Sequence, residues 1–521
     1  MSEYLFVIEA PGKTGTLANS LRRLGFNDFR IEPTVGHLFA MPKSLSPLGI
    51  DLNFQERLRA FRNLETGERV TRAISSCEKL FIATDPDHEG EVIANDINTL
   101  AILTGFDGEI WRIRLGGLDP ANVKQAILAK EPVNRTMAIP GRSRAIVDRI
   151  IGHTFSHDGI AAGRVLTPTL QLAASSDPVV AEMVLRLPAD EGEDYVATIQ
   201  IRRSRLEEAA ELAHRFMQTR FMPARTAGRV QTVFEMPDMA DILFESSRRL
   251  GLKVVETARI MQQMYMRGRL SYPRSLGKHI GPVGIQAANR LARQSGLRFD
   301  PERLNNSQPQ KMTHESPHVL DAEVTLGGRL DEMLPEQAVM CMIGRMTVRC
   351  GQDVQREYAS KADLPDFLAE KLKMTEFTRD TGWRMPEVAE QRPTGLYLLS
   401  KDAALLQLMK ENGLGRPSTW PDHIDRMISR DLLGDHLFLS PRGQAWLENT
   451  DPCLRDVTIA KRLETMIEKP VITTTDHEPW CHNARMVCEA LGSSPFKQVI
   501  QNVETELEKL QAEPVFQPMA A

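Results

Sequence analysis

Three kinds of residue in this chain could do chemistry: a set of carboxylates, a lysine beside a glycine, and six tyrosines. The carboxylates come from two places. Glu9 closes the apolar run 4–9 (YLFVIE), and a second apolar run, 79–85 (KLFIATD), leads into Asp85-Pro86-Asp87-His88-Glu89-Gly90-Glu91. In an open parallel sheet, the ligand crevice lies at the carboxyl ends of the strands. If these two runs are neighbouring strands, Glu9 faces Asp85, Asp87 and Glu89 there. Such a cluster is costly without a compensating cation or shared protons. A hard ion with oxygen ligands, magnesium above all, answers that need. For a bare D-x-D-x-E, a solvated acidic turn with an aspartate capping a helix is an equal alternative. The glutamate ending the other strand favours a site.

Gly12-Lys13-Thr14 stands between strand and helix like the end of a phosphate-binding P-loop. That motif needs a glycine five positions before Gly12, where the chain has Val7 inside the strand. ATP binding by this route is rejected. Among the tyrosines (Tyr4, Tyr195, Tyr265, Tyr272, Tyr358 and Tyr397), Tyr272 precedes Pro273-Arg274-Ser275. There the proline stiffens the turn, and the arginine can clamp a phosphate through two N–H groups. Tyr265, two residues before Arg267, is the second candidate. Taken alone, the tripeptide is better explained by a core tyrosine beside a surface arginine.

The elements that must position these residues follow from periodicity. Runs 4–9 and 79–85 read as buried strands. TLANSLRRLG and EVIANDINTLAIL after them have helical spacing, so the first 115 residues or so form an α/β domain with a mainly parallel sheet. From about 119 to 175 the pattern is helical. Alternating runs near 194–202 and 228–235 read as strands with helix between them, and 237–270 reads as helix again. At 521 residues, several domains are expected.

Composition sets bounds without deciding the function. The chain is 42% hydrophobic and 26% charged, as in ordinary globular proteins. No run approaches the roughly 18 apolar residues of a membrane span, and MSEYLFVIEA lacks the form of a secretory signal, so a cytoplasmic location is expected. The six cysteines form no Cys-x-x-Cys pair, which points to buried thiols rather than zinc or disulfides. A net charge of −5 does not advertise nucleic-acid binding, yet arginine clusters at 142–149, 202–205, 220–229 and 267–274 could line a groove.

Taken in order, the motifs resemble a family. VIEAPGK, TVGHL (34–38) and ATDPDHEGE (83–91) together resemble the Toprim domain of type IA topoisomerases. GRSRAIVDRIIGHTFS (141–156) and GRVLTPTLQLAA (163–174) resemble its helical gate segment, and RGRLSYPRS (267–275) its strand-cleaving tyrosine motif. THE (313–315) and ENGLGRPSTW (411–420) resemble later histidine and glycine-arginine motifs. The set covers roughly residues 4 to 435.

The resemblance implies a multidomain toroid of an α/β Toprim domain, α-helical domains and a β-rich arch. The expected division is Toprim at 1–116, helical base at 117–175, arch at 176–245 and a tyrosine-bearing mobile domain at 246–355. An arch return at 356–394, helical return segments at 395–510 and a tail at 511–521 complete it.

It further implies magnesium-dependent, ATP-independent cleavage and resealing of one DNA strand through Tyr272. Glu9 would be the general acid and base, Lys13 and Arg274 would stabilise phosphate charge, and His314 would orient a phosphate or relay a proton. Asp85, Asp87 and Glu89 would hold Mg2+. Arg144, Arg164, Arg416 and Ser418 would contact DNA, whose single-stranded regions would be the substrate of a monomeric enzyme, with RNA left open. The sequence departs from the family pattern at Leu276, where an acidic residue is usual, and at His88, Leu166 and His318.

Overall fold

The computed structural model describes residues 2–157, 159–305, 314–360, 364, 366–384, 392–471 and 478–512. The tail expected from 511 therefore lies outside the described residues from 513 onward. The chain separates into two compact units: Met1–Leu172 with Asn412–Gly415 and Pro441–Ala521, and Ala173–Glu411 with Arg416–Ser440. Residues 395–411 and 416–440, expected with the helical return segments, belong to the second unit.

In the first unit, strands β1 (Ser2–Ile8), β2 (Phe29–Pro33), β3 (Cys77–Ile82) and β4 (Glu109–Arg112) form a parallel sheet in the order β2-β1-β3-β4. The two apolar runs are thus neighbours, with Val7 paired to Ile82 and the Ala83 N–H donating to the Val7 carbonyl at 2.7 Å. Their central residues are buried because helices α1 (Thr14–Arg23), α2 (Leu64–Ile74) and α3 (His88–Leu103) pack beside the sheet. Leu5, Val7, Leu80, Ile82, Ile93 and Ile97 belong to one core. A second core of this unit joins α4 (Ile139–Phe155) to the C-terminal helices Val457–Glu468, Pro479–Glu489 and Ser493–Ala512.

The second unit is built on an antiparallel sheet. Its strands are β5 (Val179–Leu187), β6 (Tyr195–Arg202), β7 (Thr226–Thr232), β8 (Val354–Ala359), β9 (Thr378–Gly382) and β10 (Gly395–Leu398), in the order β10-β5-β6-β9-β8-β7. The stretch read as helical, 237–270, holds two helices, α5 (Met239–Leu250) and α6 (Val254–Met266). The break is at Gly251, whose φ of 66° is the left-handed conformation that glycine adopts without a Cβ penalty. Helices α7 (Pro282–Gln294) and α8 (Pro335–Cys350) come next along the chain. No helix among the described residues is long and apolar enough to cross a membrane.

Candidate functional site

The acidic edge of the first unit is held by an arginine that no motif advertised. Arg112, at the end of β4, is fully buried. Its guanidinium donates to the carbonyls of Thr84 and Asp85 at 2.9 Å each, and to the Glu91 carboxylate at 2.9 Å. It thereby ties the end of β3 to the first turn of α3. Burial raises the Glu91 pKa, but Arg112 and Arg114 more than reverse this and hold it below the ordinary glutamate value. On this frame Asp85 is buried and ion-paired with the equally buried Lys13. Asp87 caps α3, its side chain accepting from the Gly90 N–H at 2.9 Å. Glu89 lies 2.8 Å from His37 Nε2 and 3.4 Å from Arg144 Nη1. Glu9 directly follows β1, and the register carries it to the same sheet edge as Asp85.

His37 stands in the TVGHL motif, whose pattern gives it no role by itself. Burial alone would lower its pKa; its hydrogen bond to Glu89 leaves it above the ordinary imidazole value.

In the second unit, two chain segments hold the candidate nucleophile. Leu270 bridges to Val319, and the Ser271 N–H donates to the His318 carbonyl at 3.0 Å. On the other side of Tyr272, the Ser275 hydroxyl donates to the His314 carbonyl at 2.8 Å. The Tyr272 ring is buried in T-shaped contact with Tyr265 and with His314, each 5.5 Å between centroids. The structure therefore brings the two leading tyrosines and the candidate histidine into one cluster. Thr313 of that histidine motif lies outside the described residues. His318, one of the departures, is buried and hydrogen-bonded to Ser271 and to the Ser316 carbonyl, so it braces the segment that carries Tyr272. Arg274 is half-buried and Leu276 exposed.

With this geometry in hand, known proteins supply the comparison. The Toprim domain model matches residues 4–113. The chain is 22% identical to DNA topoisomerase 1 of Aquifex aeolicus over 52% of this chain and 52% of that protein. It is 21% identical to DNA topoisomerase 1 of Synechococcus elongatus over 89% of this chain and 63% of that protein. It thus covers less than two thirds of the length of these relatives. The solved structure of full-length topoisomerase I from Thermotoga maritima matches 97% of this chain and 90% of that one, with a TM-score of 0.61 at 16% identity. The chain has the fold of a type IA topoisomerase.

Within its Toprim domain, the donor chemistry suits a hard dication, since Asp85, Asp87 and Glu89 offer only carboxylate oxygens. Their placement does not. Each is engaged by a protein cation or amide, and among the described residues no three acidic, histidine or cysteine side chains gather to hold a metal. As placed, the motif is neutralised from within.

The arginines expected to meet DNA differ in surroundings. Arg164 is buried and paired with Asp148 at 2.6 Å and with Glu464, so its guanidinium is committed to protein carboxylates. Arg144 joins Glu89 to Glu468. Arg416 and Ser418 lie half-buried in the loop before helix Trp420–Ser429.

A basic surface that the sequence clusters did not reveal lies within the second unit. A cavity of about 1250 Å³ between the antiparallel sheet and helices α5 and α8 is lined by ten arginines against five carboxylates. Among the lining carboxylates, Asp380 binds both Arg349 (2.7 Å) and Arg356 (2.8 Å), and outside the lining Glu182 lies between Arg392 (3.1 Å) and Arg248 (3.6 Å). The lining arginines outnumber the lining carboxylates, although Glu245 and Glu357, outside the lining, also pair with Arg248, Arg249 and Arg379.

Proposed function

We propose that this protein is a type IA DNA topoisomerase that cuts and reseals one DNA strand through Tyr272 without ATP. The observation that carries the reading is the Tyr272–Pro273–Arg274 segment, braced against the His314 segment in a chain that also holds a Toprim acidic edge. The Tyr272 oxygen attacks a phosphodiester, forming the tyrosyl–phosphate bond as the bond from phosphorus to the 3′-oxygen breaks. The phenolic proton passes to solvent, directly or through His314, and the departing 3′-oxygen gains one from the Glu9 carboxyl, because an alkoxide leaves poorly unless protonated. Lys13 and Arg274 stabilise charge on the phosphate, and His314 orients it or relays a proton. One phosphodiester replaces another, so the exchange is nearly balanced and runs backward to reseal the strand.

The substrate we propose is single-stranded DNA exposed in underwound duplex, bound by a monomeric cytoplasmic enzyme. Arg144, Arg416, Ser418 and the arginine-lined cavity supply phosphate contacts. Arg164 enters this set only if it leaves Asp148 and Glu464. Asp85, Asp87 and Glu89 would hold Mg2+, which would support religation and ordered DNA binding, only once these carboxylates leave the protein partners that engage them here. Circular RNA is the alternative substrate, to be compared directly with circular DNA.

The test is relaxation of negatively supercoiled plasmid, with magnesium and without ATP, for the wild type and Tyr272→Phe. Activity in the wild type alone, with a covalent protein–DNA adduct, is the expected result. Relaxation that survives in the variant would move the nucleophile, with Tyr265 tested next. Nicking without resealing in both proteins would make the chain a Toprim nuclease.

A further inference from the structure

Asp85 is a buried carboxylate, and removing such a charge from water is strongly unfavourable unless a cation meets it. In this protein the cation is the Lys13 ammonium: the two side chains are 5% and 2% exposed and form an ion pair. Of the neighbouring acids, Asp87 accepts from the Gly90 N–H and Glu89 lies between His37 and Arg144. A hard dication needs several oxygens around one point, which the described residues do not provide as placed.

We infer that Lys13 stands in for the metal at Asp85, so that divalent cation and Lys13 compete for the same carboxylate. The second half of this inference rests on the proposed function, in which Lys13 stabilises the substrate phosphate. One ammonium cannot serve Asp85 and a phosphate oxygen fully at once. A phosphodiester that draws Lys13 toward itself leaves Asp85 buried without its partner, and the affinity of that carboxylate for a dication rises. Linkage makes the effect reciprocal: a cation on Asp85 frees Lys13 for phosphate by the same factor. Lys13 thereby couples metal binding to substrate binding, and the empty enzyme holds metal weakly.

The experiment is calorimetric titration of the full chain with Mg2+ alone, comparing the wild type with Lys13→Gln and Lys13→Arg. Lys13→Gln should bind Mg2+ about tenfold more tightly or better, and Lys13→Arg should match the wild type. Equal affinity in wild type and Lys13→Gln would overturn the competition. Should Lys13→Gln fail to fold, the 13Cε resonance of Lys13 in the wild type replaces it. That resonance should shift on Mg2+ saturation, and its invariance would overturn the inference.

The coupling is then read in a Tyr272→Phe background with a single-stranded oligonucleotide. The oligonucleotide should tighten Mg2+ binding about tenfold when Lys13 is present and less than twofold in Lys13→Gln. Equal tightening in both would mean that the DNA itself supplies the metal ligands, which overturns the coupling. A gain in Lys13→Gln without any oligonucleotide effect would keep the competition and remove Lys13 from phosphate binding, a failure of the proposed function alone.

Discussion

Tyr272 stands apart from the other tyrosines in its next two residues and in the segment that braces it. Pro273 limits the turn, and Arg274 presents a planar fork that can meet a phosphate through two parallel hydrogen bonds. A lysine keeps the charge but not the fork. Arg274→Lys should therefore retain part of the cleavage activity, whereas Arg274→Ala should lose about 10²-fold or more in the single-turnover rate, as when one oxyanion donor is removed. Equal rates in the two variants would show that charge alone matters. At Leu276 the side chain is exposed, so the departure from the family pattern removes a carboxylate without leaving a gap in the fold.

At the scale of elements, the site depends on two close backbone approaches. The segment after Tyr272 passes so near its partner that a Cβ on Gly277 would sit 1.7 Å from the His314 carbonyl oxygen. Gly277→Ala must push the two segments apart. We expect a loss of about 1–3 kcal/mol, typical of overpacking, in thermal melts. We also expect cleavage to fall on the order of 10²-fold, because a misplacement near 1 Å costs that much. Unchanged cleavage would mean that the His314 segment does not position Tyr272.

The first turn of α3 has the same character, since a Cβ on Gly90 would lie 1.9 Å from the Asp85 carbonyl oxygen. Only glycine lets the helix start close enough for Asp87 to cap it. Gly90→Ala should likewise destabilise the Toprim domain by about 1–3 kcal/mol, read by the same melts.

At the scale of the whole molecule, buried charge sets the acid stability and scattered arginines set the field. Glu91 pairs with Arg112 and Arg114, which depress its pKa in the folded protein. A depressed carboxylate contributes stability that is complete above its unfolded pKa of about 4.3. That contribution is lost as pH falls through the lower folded value. Glu91→Gln should cost about 3–5 kcal/mol at neutral pH by leaving buried guanidinium uncompensated. It should also flatten the loss of stability below about pH 4.3, as followed by denaturant melts across pH. A variant that kept the wild-type acid slope would assign that slope to other groups.

In the arginine-lined cavity, Arg345 is held by the carbonyls of Leu326 and Gly328. Arg345→Ala should weaken single-stranded DNA binding about equally for all sequences and reduce the salt slope by about one. An unchanged slope would remove Arg345 from the DNA surface.

The sequence by itself determined the chemistry on offer and the local elements that carry it. Buried strands 4–9 and 79–85, the helices after them and the D-x-D-x-E turn are local signals, because periodicity and capping act over a few residues. The ordered motifs likewise pointed to the topoisomerase fold. Only the tertiary structure decided who neutralises whom. Lys13 reaches Asp85 across 72 positions, and Arg112 fastens the acidic turn from a strand end with no motif around it. Arg164, which looked like a DNA contact beside its glycine, is paired with Glu464 at 300 positions' distance. The ten arginines of the cavity spread from Arg186 to Arg392 and form no run in the chain. Charge pairing is a property of distance in space, and sequence spacing constrains that distance only within an element.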